Sequence, residues 1–187
     1  MSEKKIALVI LDGWGHGARN KSNAIYNANT PFVDSLYNNF PNSQLMTHGE
    51  HVGLPKNQMG NSEVGHLNIG AGRIVFQDLE RINNDCNDNS IANNKNLLKA
   101  FNYVNKQNKA LHLIGLVSDG GIHSHHNHVY KLCELANKMR VKNVFVHAFT
   151  DGRDSDPKSG INFLKQLEEN LFGAKIASIC GLSLIHI

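Results

Sequence analysis

Ala110-Leu-His-Leu-Ile-Gly-Leu-Val-Ser-Asp-Gly120 and Asn143-Val-Phe-Val-His-Ala-Phe-Thr-Asp-Gly152 decide the fold. Each is a short apolar run that stops at Asp-Gly, and such runs bounded by turn residues read as buried strands. Between them, residues 124–139 follow a helical period with Val129, Leu132, Cys133, Leu135 and Ala136 facing inward. After the second run, residues 156–172 predict another helix, with Asp156 as cap, Pro157 at the first position and Gly173 as the stop. Residues 175–179 begin a third strand. The order β-α-β-α-β implies an α/β fold with a parallel sheet covered on both faces.

Upstream the pattern is looser. Ile6-Ala-Leu-Val-Ile-Leu11, closed by Asp12-Gly13, predicts one more buried strand. Residues 31–39 predict a helix, with Thr30 as N-cap, Pro31 at the first position, and Phe32, Leu36 and Phe40 on one face. A short strand is expected at 44–46. Helical periods follow at 74–86 and 94–106, the latter carrying Leu97, Leu98, Phe101 and Val104.

The chain has 187 residues, 41% hydrophobic and 19% charged, with a formal net charge of +3. That composition supports a packed core and argues against disorder. Lys and Arg are scattered, so no nucleic-acid surface is expected. No apolar run approaches the roughly 20 residues that span a bilayer. No secretory leader is read at the start, so a cytoplasmic protein is expected. Cys86, Cys133 and Cys180 are odd in number and widely spaced, and they read as free thiols.

Three predicted strands end in Asp-Gly, at Asp12, Asp119 and Asp151. Ligands of open α/β sheets bind beyond the carboxyl ends of the strands, where these carboxylates would form a rim. Asp-Gly is also ordinary turn chemistry. Asp12 is the kind of group that holds Mg²⁺ or Mn²⁺. Ser62 follows a Gly-rich approach and opens a helix-like run, where free N–H groups favour an anion. It is either an N-cap or a nucleophile that accepts a phosphoryl group. No Gly-x-Ser-x-Gly elbow surrounds it, so metal activation with Asp12 fits better than a triad. The His123–His128 run lacks His-Glu-x-x-His spacing. His123, in the loop before the helix, reads as the functional one, with the others solvated or capping. Arg153 has the fork that clamps phosphate or carboxylate, and Asp154 can orient it or move a proton. A surface turn with a local ion pair accounts for the same two residues.

Taken together, four blocks resemble the cofactor-independent (2,3-bisphosphoglycerate-independent) phosphoglycerate mutase family. They are Leu11-Asp-Gly-Trp-Gly15, the segment from Gly53 to Arg73 containing Gly60-Asn-Ser-Glu-Val-Gly-His66, Gly115 to His125, and His147-Ala-Phe-Thr-Asp-Gly-Arg-Asp154. The match runs from about residue 5 to about residue 178 and corresponds to the first part of a longer enzyme. The resemblance implies an alkaline-phosphatase-like split domain, represented by its N-terminal segment at 1–75. A partial inserted phosphotransferase domain at 76–181 would bind substrate. It implies an isomerase of glycolysis and gluconeogenesis that interconverts 3- and 2-phosphoglycerate through a phosphoserine. The enzyme would use two Mn²⁺ (or Mg²⁺) and no 2,3-bisphosphoglycerate, and act as a monomer on a small molecule, without nucleic acid or membrane. By resemblance Ser62 is nucleophile and metal ligand, Asp12 a ligand of the same metal, and His123, Arg153 and Asp154 bind substrate.

After Gly181 the family continues with substrate-contacting arginines, where this chain has Leu182-Ser-Leu-Ile-His-Ile187. That hexapeptide resembles the translation of a sequencing adapter, so 182–187 is expected to be non-native and the 187-residue chain inactive. Two other readings stand beside this one. One is another metal-dependent phosphatase or phosphomutase of the superfamily, against which the His123 and Arg153 blocks argue. The other is a non-catalytic α/β ligand-binding module with Ser62 as a mere cap.

Overall fold

The structure, a computed structural model, describes residues 5–182. They fall into two compact units. One comprises the chain up to Val52 together with Lys56–Val75, and the other Gly53–Pro55 together with the chain from Phe76 onward. The expected non-native tail lies outside the described residues except for Leu182.

The second unit holds the sheet. Its strands β1 (Leu111–Val117), β2 (Val144–Thr150) and β3 (Lys175–Gly181) are parallel, in the order β1-β2-β3. β1 and β2 pair without a break from Leu111↔Val144 to Val117↔Thr150, so Ser118 and Asp151 leave the sheet side by side. The β2–β3 register shifts between Val146 and His147. Val144, Val146 and Ala148 are buried with Phe101, Val104, Cys133, Leu135, Ala136, Phe163 and Leu167 in one cluster. Period-2 burial on the strand thus meets period-3.6 burial on the helices, as the sequence predicts.

The helices of the two units are α1 (Ala24–Asn27), α2 (Pro31–Asn39), α3 (Ser62–Ala71), α4 (Asp78–Asn87), α5 (Lys95–Lys106), α6 (His126–Lys138) and α7 (Gly160–Glu169). The first three belong to the first unit and the rest to the second. The α5 N-terminus is capped by Asn94, whose side chain accepts from the amides of Asn96 and Leu97.

Four expectations are corrected. Residues 6–11 form no strand. Ile6, Leu8 and Val9 are 93%, 74% and 77% exposed. Strand structure needs a hydrogen-bonded neighbour, and none is present among the described residues. For the same reason 44–46 is irregular. The sheet is not covered on both faces among the described residues, because His112 and Ile114 point out of β1 opposite the core and Ile114 is 69% exposed. Finally, α7 starts three residues later than predicted, at Gly160 instead of Pro157. Asp156 is spent on a turn, its side chain accepting from the Lys158 amide and its carbonyl from the Ser159 amide, and Ser159 precedes the helix.

The Pro31 helix has the predicted bounds, yet Phe32 and Phe40 are 73% and 62% exposed. The first unit therefore has little core of its own. Val52 and Val64 are its buried apolar side chains among the described residues.

Candidate active site

In the first unit, Ser62 is the first residue of α3. The cap is Asn61, whose side chain accepts from the Val64 amide at 2.9 Å. Ser62 is thereby released from capping, and its hydroxyl donates instead to Asp12 Oδ2 at 2.5 Å. This is a contact across 50 residues of sequence, between a turn after an apolar run and a helix N-terminus. The Asp12 turn is held locally, the Trp14 amide donating to the Leu11 carbonyl and Gly13 adopting φ +78°. The remaining free N–H groups of the first helical turn and the macrodipole favour negative charge at Ser62.

His66, one turn along α3, was not singled out from the sequence, although it stands at i+4 from Ser62. Its Nδ1 lies 2.8 Å from the Ser62 carbonyl oxygen and 3.2 Å from the hydroxyl. A carbonyl only accepts, so Nδ1 donates in that bond. Asp12, Gly60, Asn61, Ser62 and His66 line one cleft of 810 Å³ in this unit. Gly60 is required there by contact. A Cβ at Gly60 would lie 1.8 Å from the Thr47 carbonyl oxygen.

Asp12 and Ser62 are hard oxygen donors of the kind Mn²⁺ and Mg²⁺ take. They are two, where such an ion needs about six. Among the described residues no group of three or more His, Cys, Asp or Glu side chains could hold a metal. The residues present match a metal centre in kind but do not complete one.

In the second unit, His123 and Asp154 come together beyond the ends of β1 and β2, and Arg153 precedes Asp154 in the same loop. His123 lies in the loop between β1 and α6, tied down by the His126 amide donating to the Ser118 carbonyl at 2.9 Å and by Ser124 Oγ donating to the Leu116 carbonyl. His123 Nε2 is 3.7 Å from Asp154 Oδ2. That oxygen is buried and has no hydrogen-bond partner. Arg153 is exposed and forms no ion pair among the described residues, which leaves its guanidinium free for an anion.

Asp119 is exposed at the rim, whereas Asp151 is a buried anchor. Its Oδ1 accepts the amides of Gly152, Arg153 and Asp154 at 2.7, 2.9 and 3.0 Å, and its Oδ2 accepts the Ser118 hydroxyl at 2.7 Å. Burial works to raise its pKa. The bonds from the Asp154 and Arg153 amides, the Ser118 hydroxyl and the Gly152 amide prevail and hold the carboxyl well below the usual range.

The other histidines of the run are structural. His125 caps α6, its Nδ1 accepting from the Asn127 amide at 3.2 Å. His128 Nε2 donates to Asn83 Oδ1 at 2.7 Å, which ties α6 to α4. His126 stacks on Tyr130. The three cysteines are free, and burial pushes the Cys133 thiol up to about 11, so it is an unreactive core residue.

A family model described as the BPG-independent PGAM N-terminus matches residues 82–183. The 2,3-bisphosphoglycerate-independent phosphoglycerate mutase of Bacteroides fragilis is 53% identical over 180 residues, covering 95% of this chain and 36% of the relative. That of Bacteroides thetaiotaomicron is 52% identical over the same span and shares. Among solved structures, a Leishmania mexicana phosphoglycerate mutase crystallised at low cobalt concentration matches with a TM-score of 0.61 and 36% identity, over 90% of this chain and 32% of that one. The chain spans about a third of the length of the curated relatives it matches.

Proposed function

The chain belongs to the BPG-independent phosphoglycerate mutase N-terminal family, and on that premise we propose that it is the N-terminal part of an isomerase interconverting 3- and 2-phosphoglycerate. In that reading residues 1–75 contribute the nucleophile and residues 76–181 belong to the substrate-binding domain. The observation that carries the reading is the 2.5 Å contact between Ser62 Oγ and Asp12 Oδ2 at the start of α3. A serine hydroxyl is a weak nucleophile until a base takes its proton. Asp12 is the acceptor already in place.

The residues divide the work as follows. Ser62 Oγ attacks the phosphorus of 3-phosphoglycerate. The Oγ–P bond forms, the bond from phosphorus to the C3 oxygen breaks, and the serine proton passes to Asp12. The C3 oxygen leaves with the proton that Asp12 took from Ser62. The helix N-terminus stabilises the phosphoserine charge. The C2 hydroxyl then gives its proton to Asp12 and attacks the phosphoserine, which breaks Oγ–P and restores Ser62 with that proton. Arg153 clamps the substrate carboxylate or phosphate bidentately. His123 pairs with Asp154 and borders the ligand.

The resemblance implies two Mn²⁺ or Mg²⁺ ions. Asp12 and Ser62 would each give one of them an oxygen, and the rest of each coordination shell has to come from beyond these residues. Independence from 2,3-bisphosphoglycerate follows from the relatives' names. No helix among the described residues is long and apolar enough to cross a membrane. We take the complete enzyme to be a cytoplasmic monomer acting on a small molecule.

The ligand-module alternative is disfavoured by Asn61, which does the capping that it assigned to Ser62. The test is chemical trapping. The complete enzyme quenched in acid during turnover should carry one phosphoryl group, located by peptide mass spectrometry on Ser62. Ser62→Ala should carry none and lose mutase activity by roughly 10⁴-fold or more, as removal of a covalent nucleophile does. Phosphate on another residue, or turnover by Ser62→Ala near the parent rate, refutes the assignment.

A further inference from the structure

Resting on the reading that His123, Arg153 and Asp154 bind phosphoglycerate, we infer that Ser118 and Asp151 are positioning residues that set the two ligand-bearing loops against each other without touching the ligand. The two residues follow the last paired positions of adjacent strands, Val117 and Thr150. Ser118 is fully buried. Its hydroxyl donates to Asp151 Oδ2 at 2.7 Å and accepts from the Gly120 amide at 3.3 Å. One side chain thus links the β1 loop to the β2 loop. Asp151 spends its other oxygen on three consecutive amides, from Gly152 through Asp154.

A turn aspartate that served only its own loop would need Oδ1 alone. The bond to Ser118 crosses between strands and serves the register of the two loops. Gly120 completes the bracket. A Cβ there would lie 2.8 Å from the Asp154 carbonyl oxygen and 3.1 Å from the Asp154 Cβ, so the β1 loop backbone packs directly on Asp154. The consequence is at the site. Asp154 Oδ2 is held 3.7 Å from His123 Nε2 with no other partner. An error of about 1 Å in such a placement is enough to cost a large factor in binding or rate.

The experiment uses the isotope-labelled 187-residue chain by NMR, titrated with 3-phosphoglycerate. Without ligand, the amides of 152–154 should be protected from exchange like those of β1 and β2, and the His123 ring should show an NOE to the Asp154 Cβ protons. Ser118→Ala should lose that NOE while keeping the β1–β3 amide shifts, and should weaken phosphoglycerate binding by about tenfold, the worth of one hydrogen bond to a charged group. Asp151→Asn keeps an oxygen for the amides but puts an N–H where the Ser118 hydroxyl donates, so it should lose the NOE as Ser118→Ala does while keeping the β1–β3 amide shifts. Unprotected 152–154 amides in the parent chain, or an unchanged NOE and affinity in Ser118→Ala, overturns the inference. The exchange measurement needs no variant and decides the matter even where Ser118→Ala does not fold. If the complete enzyme forms no phosphoserine on Ser62, the functional reading falls, while the ligand-free NOE and exchange still decide the positioning role.

Discussion

Ser62 and Gly60 show how far one residue's chemistry depends on a neighbour distant in sequence. Glycine at position 60 could be read as part of a flexible approach to Ser62. The structure gives it a contact reason, since any Cβ would overlap the Thr47 carbonyl. Gly60→Ala must therefore move one of the two segments in contact, and with it Asn61 and Ser62. The expected result is loss of the Asn61 cap, worth about 1 kcal/mol, and loss of the Asp12–Ser62 contact. In the complete enzyme the phosphoserine yield should fall by about 10²-fold, the scale of a misplaced reacting group. A quench-flow measurement of phosphoserine formation in Gly60→Ala checks this, and an unchanged yield would contradict it. Asp12, Ser62, His123, Arg153 and Asp154 were each nameable from residue type and motif. His66 and Ser118 were not, because their partners (a carbonyl of the same helix and a carboxylate 33 residues away) are products of backbone geometry.

At the scale of elements, α6 gathers three imidazoles at its first turn. Burial lowers the pKa of His125, of His126 and of His128. Nearby imidazoles add to the effect for the latter two, while Asp119 opposes it for the first two. The folded form therefore prefers them neutral. Above an unfolded pKa of about 6.5 both states are neutral and stability is full. As pH falls through 6.5 toward the lower folded values, the unfolded chain binds protons first and stability is lost. Urea unfolding should show a lower midpoint at pH 5.5 than at pH 7.5, and His126→Phe, which keeps the stacking on Tyr130, should flatten that difference. An equal slope in both proteins would remove the imidazoles as the cause. The strands β1 to β3 were legible because each apolar run has a partner within the same segment. The run at 6–11 has equal strand character and no ladder, since pairing is not a property of a run by itself.

For the molecule as a whole, the two units differ in how much apolar surface they bury. The second has one continuous core of thirteen buried side chains, while the first leaves Ile6, Leu8, Phe32, Phe40 and Leu45 largely exposed. Local stability follows buried apolar contact. Hydrogen exchange of the 187-residue chain should show the β1 to β3 amides protected by orders of magnitude more than those of α2 and α3, and the chain should bind a hydrophobic dye. Uniform protection across both units would refute this. The metal donors lead to a matching expectation. With two hard oxygens of about six, the chain supplied with Mn²⁺ should not interconvert phosphoglycerates in a coupled assay, and Mn²⁺-dependent turnover would show that the donor set is sufficient.

The sequence by itself determined the parallel β-α-β-α-β half, the family and the residue types of the site. These depend on local period and motif, which are carried by neighbours in the chain. Only the tertiary structure decided that Asn61 caps α3 and frees Ser62 for Asp12, that Asp151 is an anchor while Asp154 keeps a buried, unpartnered oxygen near His123, and that residues 6–11 lack a ladder among the described residues. Each of those depends on which distant groups meet within hydrogen-bonding distance, and a linear pattern does not encode that distance.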